Sequence, residues 1–468
     1  MRHKKSAHRK TSATKSAKKL SRREFFRSSA TAATFTIVSP HVLALGGRTP
    51  PSEKLNIVGV GAGGGACKHD LRRFAEREQN IVAVADCLTL DAWQGESKRF
   101  YKEFYPGAKR YRDFRVMLEK EKGIDAVVIA TPDHSHAVIT MAAIQLGKHV
   151  YCEKPLTRTI WEARQISRAA QEAKIATQMG NNGHAGEWIR LVCEYIWQGV
   201  IGPVREVHAW SDRPHWPSGI SRPKDTPPVP AFLDWDLWLG PAPERPYHPS
   251  YIPNVWRGWV DFGSGAIGDM ACHILDPVFW AMKLGHPVSI EASSTPITDE
   301  NKETYPKASL ITYRFPERGE GRDKMPPLTV TWYDGGLMPP LPEGMKPGVT
   351  LPKNGAYFVG EKGVLVNETS HDPYLLPESL QKEHPKPKMV IDRSIGHFNE
   401  WVAECKGEKV KCGSNFNYGA GLTEFALLGN VALRAGEKIH WDGTQMEVTN
   451  VPAANEFLKP HYRSGWAF

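Results

Sequence analysis

Lys154 is the residue whose type and position most directly suggest catalysis in this sequence. It lies in the motif Glu153-Lys154-Pro155, directly after the short apolar segment of residues 149–152. At the carboxyl end of a parallel strand in a dinucleotide-binding domain, a lysine points into the crevice that receives a nicotinamide ring. Its charge there would hold a substrate hydroxyl and favour the alkoxide that forms as hydride leaves. Pro155 restricts Lys154 to extended backbone and makes a cis bond possible. A lysine–proline pair alone is usually a turn, so this prediction depends on the motifs around it.

Asp269 and His273 are the second pair of candidate catalytic residues. They are four positions apart on a predicted helix, so both side chains emerge on one face. The glycine-rich residues 262–268 before them would let the backbone pass close to a ligand. A neutral histidine can take a hydroxyl proton while the aspartate orients or polarises it. An isolated Asp–His pair is more often structural, but beside the lysine motif we interpret this one as catalytic.

A glycine-rich turn predicts dinucleotide binding near the start of the main chain body. Gly59, Gly61 and Gly64 fit the pattern G-x-G-x-x-G between a predicted strand and a predicted helix. Such glycines allow a tight turn and close approach of a pyrophosphate, which the helix N-terminus stabilises. Asp86 ends the next predicted strand, where a carboxylate binds ribose hydroxyls and repels a 2′-phosphate. No arginine follows Asp86 directly, so NAD is predicted rather than NADP.

A further loop at a predicted strand end begins at Thr131 and Pro132. It follows the apolar residues 124–130 and continues through two histidines, of which His136 is the second. Asp133 or a nearby serine would also suit a helix cap. Both interpretations can hold together, and we expect Thr131, Pro132 and His136 to border the cofactor.

The order of the predicted elements explains how these motifs can meet. From residue 55 to about 180, short apolar segments alternate with helical segments, including one over residues 90–104, which predicts βαβ units and a parallel sheet. Later residues form several β-type segments without helices between them, apart from a predicted helix over 267–282, which favours a mostly antiparallel sheet. The predicted fold class is therefore α/β, with an N-terminal Rossmann dinucleotide-binding domain and a C-terminal α/β domain. We expect the domains to span residues 46–180 and 181–450, with a tail over 451–468.

A stretch rich in tryptophan and arginine suggests where a substrate binds. Aromatic faces pack against the C–H faces of pyranose rings, and arginines bind hydroxyls or carboxylates. We predict substrate contacts from His215, Arg257 and Trp259 in this stretch. At least half of its tryptophans are expected to be core or loop anchors instead.

The net charge of +9 comes from the first residues of the chain. Residues 1–30 hold eleven Lys or Arg against one acid, so the rest of the chain is close to neutral. A hydrophobic content of 41% and a charged content of 24% are typical of a globular protein. No nucleic-acid partner is therefore predicted.

Residues 1–45 are predicted to be a twin-arginine export signal. Arg22 and Arg23 precede an aromatic pair and a weakly apolar run that ends near Leu45. That run is too short and too rich in Ser and Thr for a stable membrane span. We expect a periplasmic or otherwise exported protein that meets the twin-arginine export machinery, although a disordered basic tail is the alternative.

The cysteines do not indicate a metal site, and they do not settle the cellular compartment. The seven cysteines are scattered and show no metal-ligand spacing, so no metal site is predicted. Cys405 and Cys412 are close enough in sequence to pair in an oxidising compartment, but free thiols are the expectation.

Together these residues resemble the Gfo/Idh/MocA oxidoreductase family over residues 53 to about 440. The most specific marks are Cys152-Glu153-Lys154-Pro155 and Gly265-Ala266-Ile267-Gly268-Asp269-Met270-Ala271-Cys272-His273. The resemblance implies a Rossmann domain followed by an α/β domain whose open sheet often serves oligomerisation, so a homo-oligomer is expected.

The resemblance also implies roles for individual residues. The active-site lysine of the family corresponds to Lys154, with Glu153 near the cofactor, and its Asp and His correspond to Asp269 and His273. Many members carry an arginine shortly after the sixth strand, where this chain has Gly-Asn-Asn-Gly-His. Substrate contacts cannot be copied to that position, and Asn181 stands there as the candidate.

The leading hypothesis is an exported, NAD-dependent oxidoreductase that acts on a sugar or polyol hydroxyl. Because the periplasm is not expected to hold a free NAD pool, the cofactor is expected to be tightly bound and regenerated in place. One alternative is NAD-dependent glycoside cleavage by transient oxidation and elimination. The other is a non-catalytic sugar-binding or sensing protein, which the intact lysine, aspartate and histidine argue against.

Overall fold

The computed structural model describes residues 53–89, 99, 101–102, 105–321, 324–346 and 348–467. The predicted export signal and most of the predicted helix over residues 90–104 lie outside the described residues. None of the helices in the described ranges is both long and apolar enough to cross a membrane.

The first sheet has six strands, which pair in parallel in the order β3-β2-β1-β4-β5-β6. The chain order reverses between β1 and β4, so a crevice opens at the carboxyl ends of these two strands. This topology confirms the predicted Rossmann domain. The strands are β1 Asn56–Val60, β2 Asn80–Ala85, β3 Lys109–Tyr111, β4 Ala126–Ile129, β5 His149–Cys152 and β6 Thr177–Met179.

Helices connect these strands, and α3 is buried on almost all sides. They are α1 Gly65–Ala75, α2 Phe114–Lys120, α3 Asp133–Gln145 and α4 Ile160–Ala173. In α1, Cys67, Leu71 and Phe74 recur at helical spacing and are fully buried. A capping box between Thr159 and Glu162 fixes the start of α4.

The second sheet has nine strands in the order β13-β12-β11-β7-β10-β9-β8-β14-β15. The pair β7–β10 is parallel and the other pairs described are antiparallel, which confirms the predicted, mostly antiparallel sheet. The strands are β7 Val204–Trp210, β8 Ser289–Ser294, β9 Ser309–Phe315, β10 Leu328–Tyr333, β11 Gly355–Gly360, β12 Gly363–Glu368, β13 Tyr374–Leu376, β14 Ile439–Asp442 and β15 Glu447–Val448.

In this part of the chain one helix precedes β7, three lie between β7 and β8, and three lie between β13 and β14. They are α5 Glu187–Trp197, α6 Trp235–Leu239, α7 Gly265–Ile274, α8 Asp276–Ala281, α9 Glu378–Glu383, α10 His397–Cys405 and α11 Phe416–Ala435, with 3-10 turns at Asn182–Ala185, Pro249–Tyr251, Val255–Gly258 and Pro452–Phe457. The prediction of one helix over residues 267–282 is wrong, because the structure has α7 and α8 there. Pro277 lacks a backbone N–H, so it cannot continue the hydrogen-bond ladder of α7 and instead opens α8.

Helix α11 links the two sheets. It packs against α4, α7 and β8 within one continuous apolar core. Arg164 of α4 forms two hydrogen bonds of 2.7 Å with the Glu424 carboxylate of α11. This contact fixes α11 on α4, and the packing of α11 against α7 positions the helix that carries Asp269.

All seven cysteines are free thiols, so the possible Cys405–Cys412 bond is not formed. The described residues contain no group of three or more His, Cys, Asp or Glu side chains placed to hold a metal ion.

Candidate active site

The turn between β1 and α1 brings the backbone close enough to cradle a pyrophosphate. Gly61 has φ = +89°, and a Cβ at this position would lie 2.5 Å from the carbonyl oxygen of Ala130. A Cβ on Gly59 would lie 2.6 Å from Leu71 Cδ1, so glycine also lets α1 pack closely on β1. Gly64 is the N-cap of α1, whose first N–H groups are free for an anion. The turn therefore fits the phosphates of a dinucleotide.

Asp86 directly follows β2 and lines the same cleft. Its Oδ2 accepts a hydrogen bond of 2.7 Å from the Gly63 N–H, and its Oδ1 accepts one of 2.8 Å from the Leu88 N–H. Burial raises the pKa of Asp86, and these two N–H groups oppose the rise by stabilising the carboxylate. A carboxylate fixed here can accept hydrogen bonds from ribose hydroxyls and repels a 2′-phosphate.

The loop after β4 lines the cleft with Thr131 and Pro132, and His136 in the first turn of α3 lines it as well. Thr131 Oγ1 is buried and has no hydrogen-bond partner among the described residues, so it is available to a ligand. The His136 ring is already engaged: Nδ1 lies 2.9 Å from the Pro155 carbonyl oxygen and Nε2 lies 2.9 Å from that of Thr131. His136 thus ties this loop to the one after β5.

Glu153 lines the cleft at the end of β5 and faces a buried carboxyl that sequence analysis missed. Asp70 of α1 is 1% exposed, and burial raises the pKa of its carboxyl well above the usual range. Burial, and then the charge of Asp70, raises the pKa of Glu153 to about 8. The two carboxyls therefore hold a proton at neutral pH. The signal in the sequence was an aspartate on the apolar face of α1, between Cys67 and Phe74.

Lys154 lies against Asp269, which brings two predicted catalytic residues into direct contact. Its Nζ donates hydrogen bonds to Asp269 Oδ1 at 2.9 Å and to the Asp269 backbone oxygen at 2.8 Å. The two side chains are only 12% and 10% exposed. The Lys154–Pro155 peptide bond is cis. One residue comes from the end of β5 and the other from α7, so the site forms where these two elements meet.

Two arginines approach the same Asp269 carboxylate. Arg257 Nη1 lies 3.2 Å from Oδ1, and Arg213 Nε lies 3.4 Å from Oδ2. Burial would raise the pKa of Asp269, but the charges of Lys154 and Arg257 outweigh it and hold that pKa well below its usual range. Asp269 is therefore a permanent anion that positions cations rather than a proton acceptor.

His273 lies one turn after Asp269 on α7 and is half-buried. Neither ring nitrogen has a hydrogen-bond partner among the residues that the structure describes, so the ring is available to a substrate. Loss of hydration, followed by the positive charge of Lys154, lowers the pKa of His273 to about 3, although Asp269 opposes the shift. The imidazole is therefore neutral at physiological pH and can accept a proton.

Arg257 is the predicted substrate contact that shares the Asp269 carboxylate with Lys154. It lines the cleft, and its guanidinium stacks 4.4 Å from the centre of the Trp256 ring. His215 has a side chain that is 58% exposed and lies 3.2 Å from Asp212. Arg213 connects His215 to Asp269, since its Nη1 lies 3.4 Å from His215 Nε2 and its Nε lies 3.4 Å from Asp269 Oδ2.

Asn181 and Trp259 lie in the protein interior, away from the cleft. Asn181 is 0% exposed and donates a hydrogen bond of 2.8 Å to Asp276. Trp259 is 1% exposed and its indole N–H bonds to the Ser250 carbonyl oxygen. Their burial argues against the predicted substrate contacts and indicates that both residues anchor the fold. Residue type and spacing alone did not distinguish anchors from ligand contacts here.

One cleft of about 520 Å³ connects the cofactor motifs to the catalytic candidates. Its volume is in the range of small-molecule and cofactor sites. The glycine turn and Asp86 line one part, and Lys154 and Arg257 line another. Asp269 and His273 are not among the residues that line this cleft, and Asp269 adjoins it through its contact with Lys154. The cleft can therefore hold a dinucleotide with one end directed at Lys154.

Two family models match the chain in succession. The model GFO_IDH_MocA, described as an oxidoreductase family with an NAD-binding Rossmann fold, matches residues 55–181. The model GFO_IDH_MocA_C2, described as the C-terminal α/β domain of the oxidoreductase family, matches residues 208–318. Together they cover about half of the chain and include Lys154, Asp269 and His273.

The alignments with curated relatives cover about a third of this chain. Levoglucosan dehydrogenase of Pseudarthrobacter phenanthrenivorans is 30% identical over 35% of this chain and 34% of its own length. Inositol 2-dehydrogenase of Salmonella typhimurium is 30% identical over 33% of this chain and 44% of its own length. The matched segments therefore span less than half of each relative.

A solved structure extends the likeness across most of the fold. The WlbA dehydrogenase of Bordetella pertussis, in complex with NADH and UDP-GlcNAcA, superposes with a TM-score of 0.55 at 16% identity. The alignment covers 83% of this chain and 99% of that one. At this identity the likeness concerns the fold, a Rossmann domain followed by an α/β domain.

Proposed function

We propose that this chain, which belongs to the Gfo/Idh/MocA oxidoreductase family, transfers hydride between NAD and a hydroxyl-bearing carbon of a sugar or polyol. The observation that carries the proposal is the contact of Lys154 with Asp269 beside the unpaired ring of His273. Lys154 lines the cleft that fits a dinucleotide, and Asp269 contacts Lys154. The relatives named levoglucosan dehydrogenase and inositol 2-dehydrogenase favour a polyhydroxylated substrate.

The chemistry divides among the three residues according to their charge. Bound NAD supplies the hydride acceptor for substrate oxidation. His273, neutral above about pH 3, takes the hydroxyl proton on a ring nitrogen. Lys154 stabilises the alkoxide with its ammonium group, which Asp269 holds in place. The alkoxide charge also offsets the cationic field at His273, which raises the proton affinity of the imidazole as the reaction proceeds.

The cofactor residues of the proposal are those at the cleft wall. Gly59, Gly61 and Gly64 would receive the pyrophosphate, and Asp86 would bind the ribose. Glu153 and Thr131 would face the nicotinamide half. Glu153 carries a proton at neutral pH, so it can donate a hydrogen bond where an ionised carboxylate could not.

We further propose that the protein is exported with its cofactor bound. The twin arginines Arg22 and Arg23 support this, since the twin-arginine route carries folded proteins. A resident NAD would then need a second substrate, such as another sugar, to restore its oxidation state. The direct test is to fuse residues 1–45 to a reporter and compare its periplasmic fraction with that of a fusion in which both arginines are lysine. Equal export of the two fusions would contradict the proposal.

The activity is tested by recording absorbance near 340 nm while sugars, polyols and glycosides are added to the purified protein with NAD. A lasting rise with at least one sugar or polyol is expected. The Lys154→Met variant should lose the rise, whereas Lys438→Met, which changes an exposed lysine, should retain it. Equal rates for the wild type and Lys154→Met would contradict the site. Release of an aglycone without a lasting rise would contradict net oxidation and favour elimination.

A further inference from the structure

A segment of the second domain crosses the cofactor cleft and pairs with the loop that follows Asp86. We call residues 232–256 the strap. The Thr89 N–H donates to the Phe232 carbonyl oxygen at 2.8 Å, and the Asp234 N–H donates to the Cys87 carbonyl oxygen at 3.0 Å. Leu88 and Leu233 form an antiparallel bridge between these bonds. The segment that directly follows Asp86, the residue that should bind the ribose, is therefore tied to the second domain by main-chain hydrogen bonds.

Aromatic packing makes the strap a firm element. The rings of Trp235 and Trp238 stack with their centres 4.8 Å apart, and Trp238 meets Phe262 edge-on at 4.8 Å. His134 Nε2, on the Rossmann side, lies 3.0 Å from the Trp238 carbonyl oxygen. Buried aromatic pairs of this kind resist separation, so the strap does not lie loosely over the cleft.

The carboxyl-terminal tail reaches the same cleft from the other side of the strap. Arg463 fixes the tail, since its Nε donates to the Gly240 carbonyl oxygen at 3.1 Å and its backbone N–H to that of Pro241 at 3.1 Å. Trp466 is 8% exposed, lies 4.3 Å beneath the Arg115 guanidinium, and lines the cleft. The tail therefore packs within its own chain at the cleft wall.

The strap and tail present apolar surface to the cleft opposite the Rossmann residues. Phe232, Tyr247, Asn254, Trp256 and Trp466 all line it. Phe232 is 43% exposed, which is a large exposed fraction for an aromatic residue. A planar, partly apolar ligand in the cleft would bury this surface.

We propose that the strap and Trp466 form a second half of the cofactor site and retain the nucleotide through successive turnovers. The inference rests on the NAD cofactor of the proposed function. Release of the nucleotide would require the strap to separate from residues 87–89, or the adenosine to pass the aromatic wall. The first route breaks the main-chain hydrogen bonds of the strap, and the second requires aromatic side chains to move aside, so release should be slow.

The test is the rate at which bound NADH leaves the purified protein. The protein is loaded with NADH and mixed rapidly with a large excess of NAD, and the loss of the protein-bound NADH fluorescence is followed. Trp466→Ala and Phe232→Ala should each release NADH roughly ten- to hundredfold faster, the factor expected for removing a buried aromatic contact. Trp466→Phe keeps a ring in place and should release it more slowly than Trp466→Ala.

Phe457→Ala is the matched control, because Phe457 is a half-buried aromatic residue of the same terminal segment that does not line the cleft. Its release rate should equal that of the wild type. Release rates within twofold of the wild type for both Trp466→Ala and Phe232→Ala would overturn the inference while leaving the cofactor assignment in place. A wild-type protein that binds no NADH would instead overturn the proposed function. Thermal melting of each variant, measured without nucleotide, distinguishes an effect on the site from an effect on folding.

Discussion

At the residue scale, the decisive feature is that one carboxylate serves several cations. Asp269 contacts Lys154, Arg257 and Arg213 within 3.4 Å and stays ionised. Removing that charge leaves the ammonium of Lys154 without its anchor in a mostly buried place. The role of Asp269 is therefore to position the lysine, and its loss should reduce turnover more than cofactor binding.

Asp269→Asn should accordingly lower kcat by roughly 10²- to 10³-fold, a loss typical of a displaced electrostatic contact. NADH binding, measured by fluorescence titration, should change little, because the cofactor motifs are on other elements. Asp299→Asn, which changes a carboxylate that is 96% exposed, is the control. A parallel loss of NADH affinity would show that Asp269 acts on the cofactor instead.

His273 leads to a prediction about pH. Its pKa is lowered from 6.5 to about 3, so the base stays neutral as the pH falls from 8 to 5. The kcat/KM of the wild type should therefore show no acid limb with a midpoint near 6.5. His273→Gln should lower kcat/KM by roughly 10²- to 10⁴-fold, as expected for the loss of a general base. A limb near pH 6.5 in the wild type would contradict the assigned environment.

At the element scale, the turn between β1 and α1 sets the approach of the cofactor. Gly61→Ala places a methyl group 2.5 Å from the Ala130 carbonyl oxygen at a positive φ. We expect NADH affinity to fall at least about tenfold, since the strain alone costs about 1–2 kcal/mol. Gly123→Ala, where a Cβ would meet no atom within 4 Å, should leave affinity unchanged in the same titration. Equal affinities for the two variants would contradict the cradle.

Local patterns predicted the elements that carry regular apolar spacing. The strands β1, β2, β4 and β5 and their helices follow from that spacing. The strand β3, Lys109–Tyr111, was missed because it is short and not apolar, so only its pairing with β2 defines it. Pro277 is a signal in the sequence for the break between α7 and α8, but the prediction of a single helix did not use it.

The candidate site divides in the same way. Motif residues such as Lys154 and Asp86 were found because each motif is continuous in sequence. The contact of Arg213 with Asp269 and that of Asp70 with Glu153 join distant segments, which a single sequence does not reveal. Burial depends on tertiary packing, which the sequence does not show. For this reason Asn181 was predicted to contact a substrate, although in the fold it is an interior anchor.

At the scale of the whole molecule, the fold encloses a carboxyl pair that titrates. Glu153 holds its proton up to about pH 8 in the folded chain and only up to about 4.5 when unfolded. Unfolding therefore releases a proton in that window, and this group makes the free energy of unfolding fall as the pH rises from about 4.5 to about 8.

Glu153→Gln should remove that contribution. Urea denaturation at pH 5 and at pH 8 should show a smaller loss of unfolding free energy across this interval for Glu153→Gln than for the wild type. Glu119→Gln, which changes an exposed glutamate, should follow the wild type. Identical pH dependence for Glu153→Gln and the wild type would contradict the buried, protonated state.

The two domains also explain why the site requires the complete fold. Lys154 and the cofactor motifs belong to the parallel sheet, while Asp269, His273 and the strap follow it in the chain. Helix α11 and the Arg164–Glu424 pair hold these parts together. Neither part alone would place a lysine, an anion and a neutral base beside a dinucleotide cleft.

The most direct test of the central claim is the transfer of deuterium from substrate carbon to the nucleotide. A sugar or polyol that raises the absorbance near 340 nm is prepared with deuterium on its carbon atoms, and the nucleotide is analysed by mass spectrometry after the reaction. The wild type should form NADH that carries one deuterium, and Lys154→Met should form none. NADH formed without deuterium, or formed equally by Lys154→Met, would contradict hydride transfer at this site.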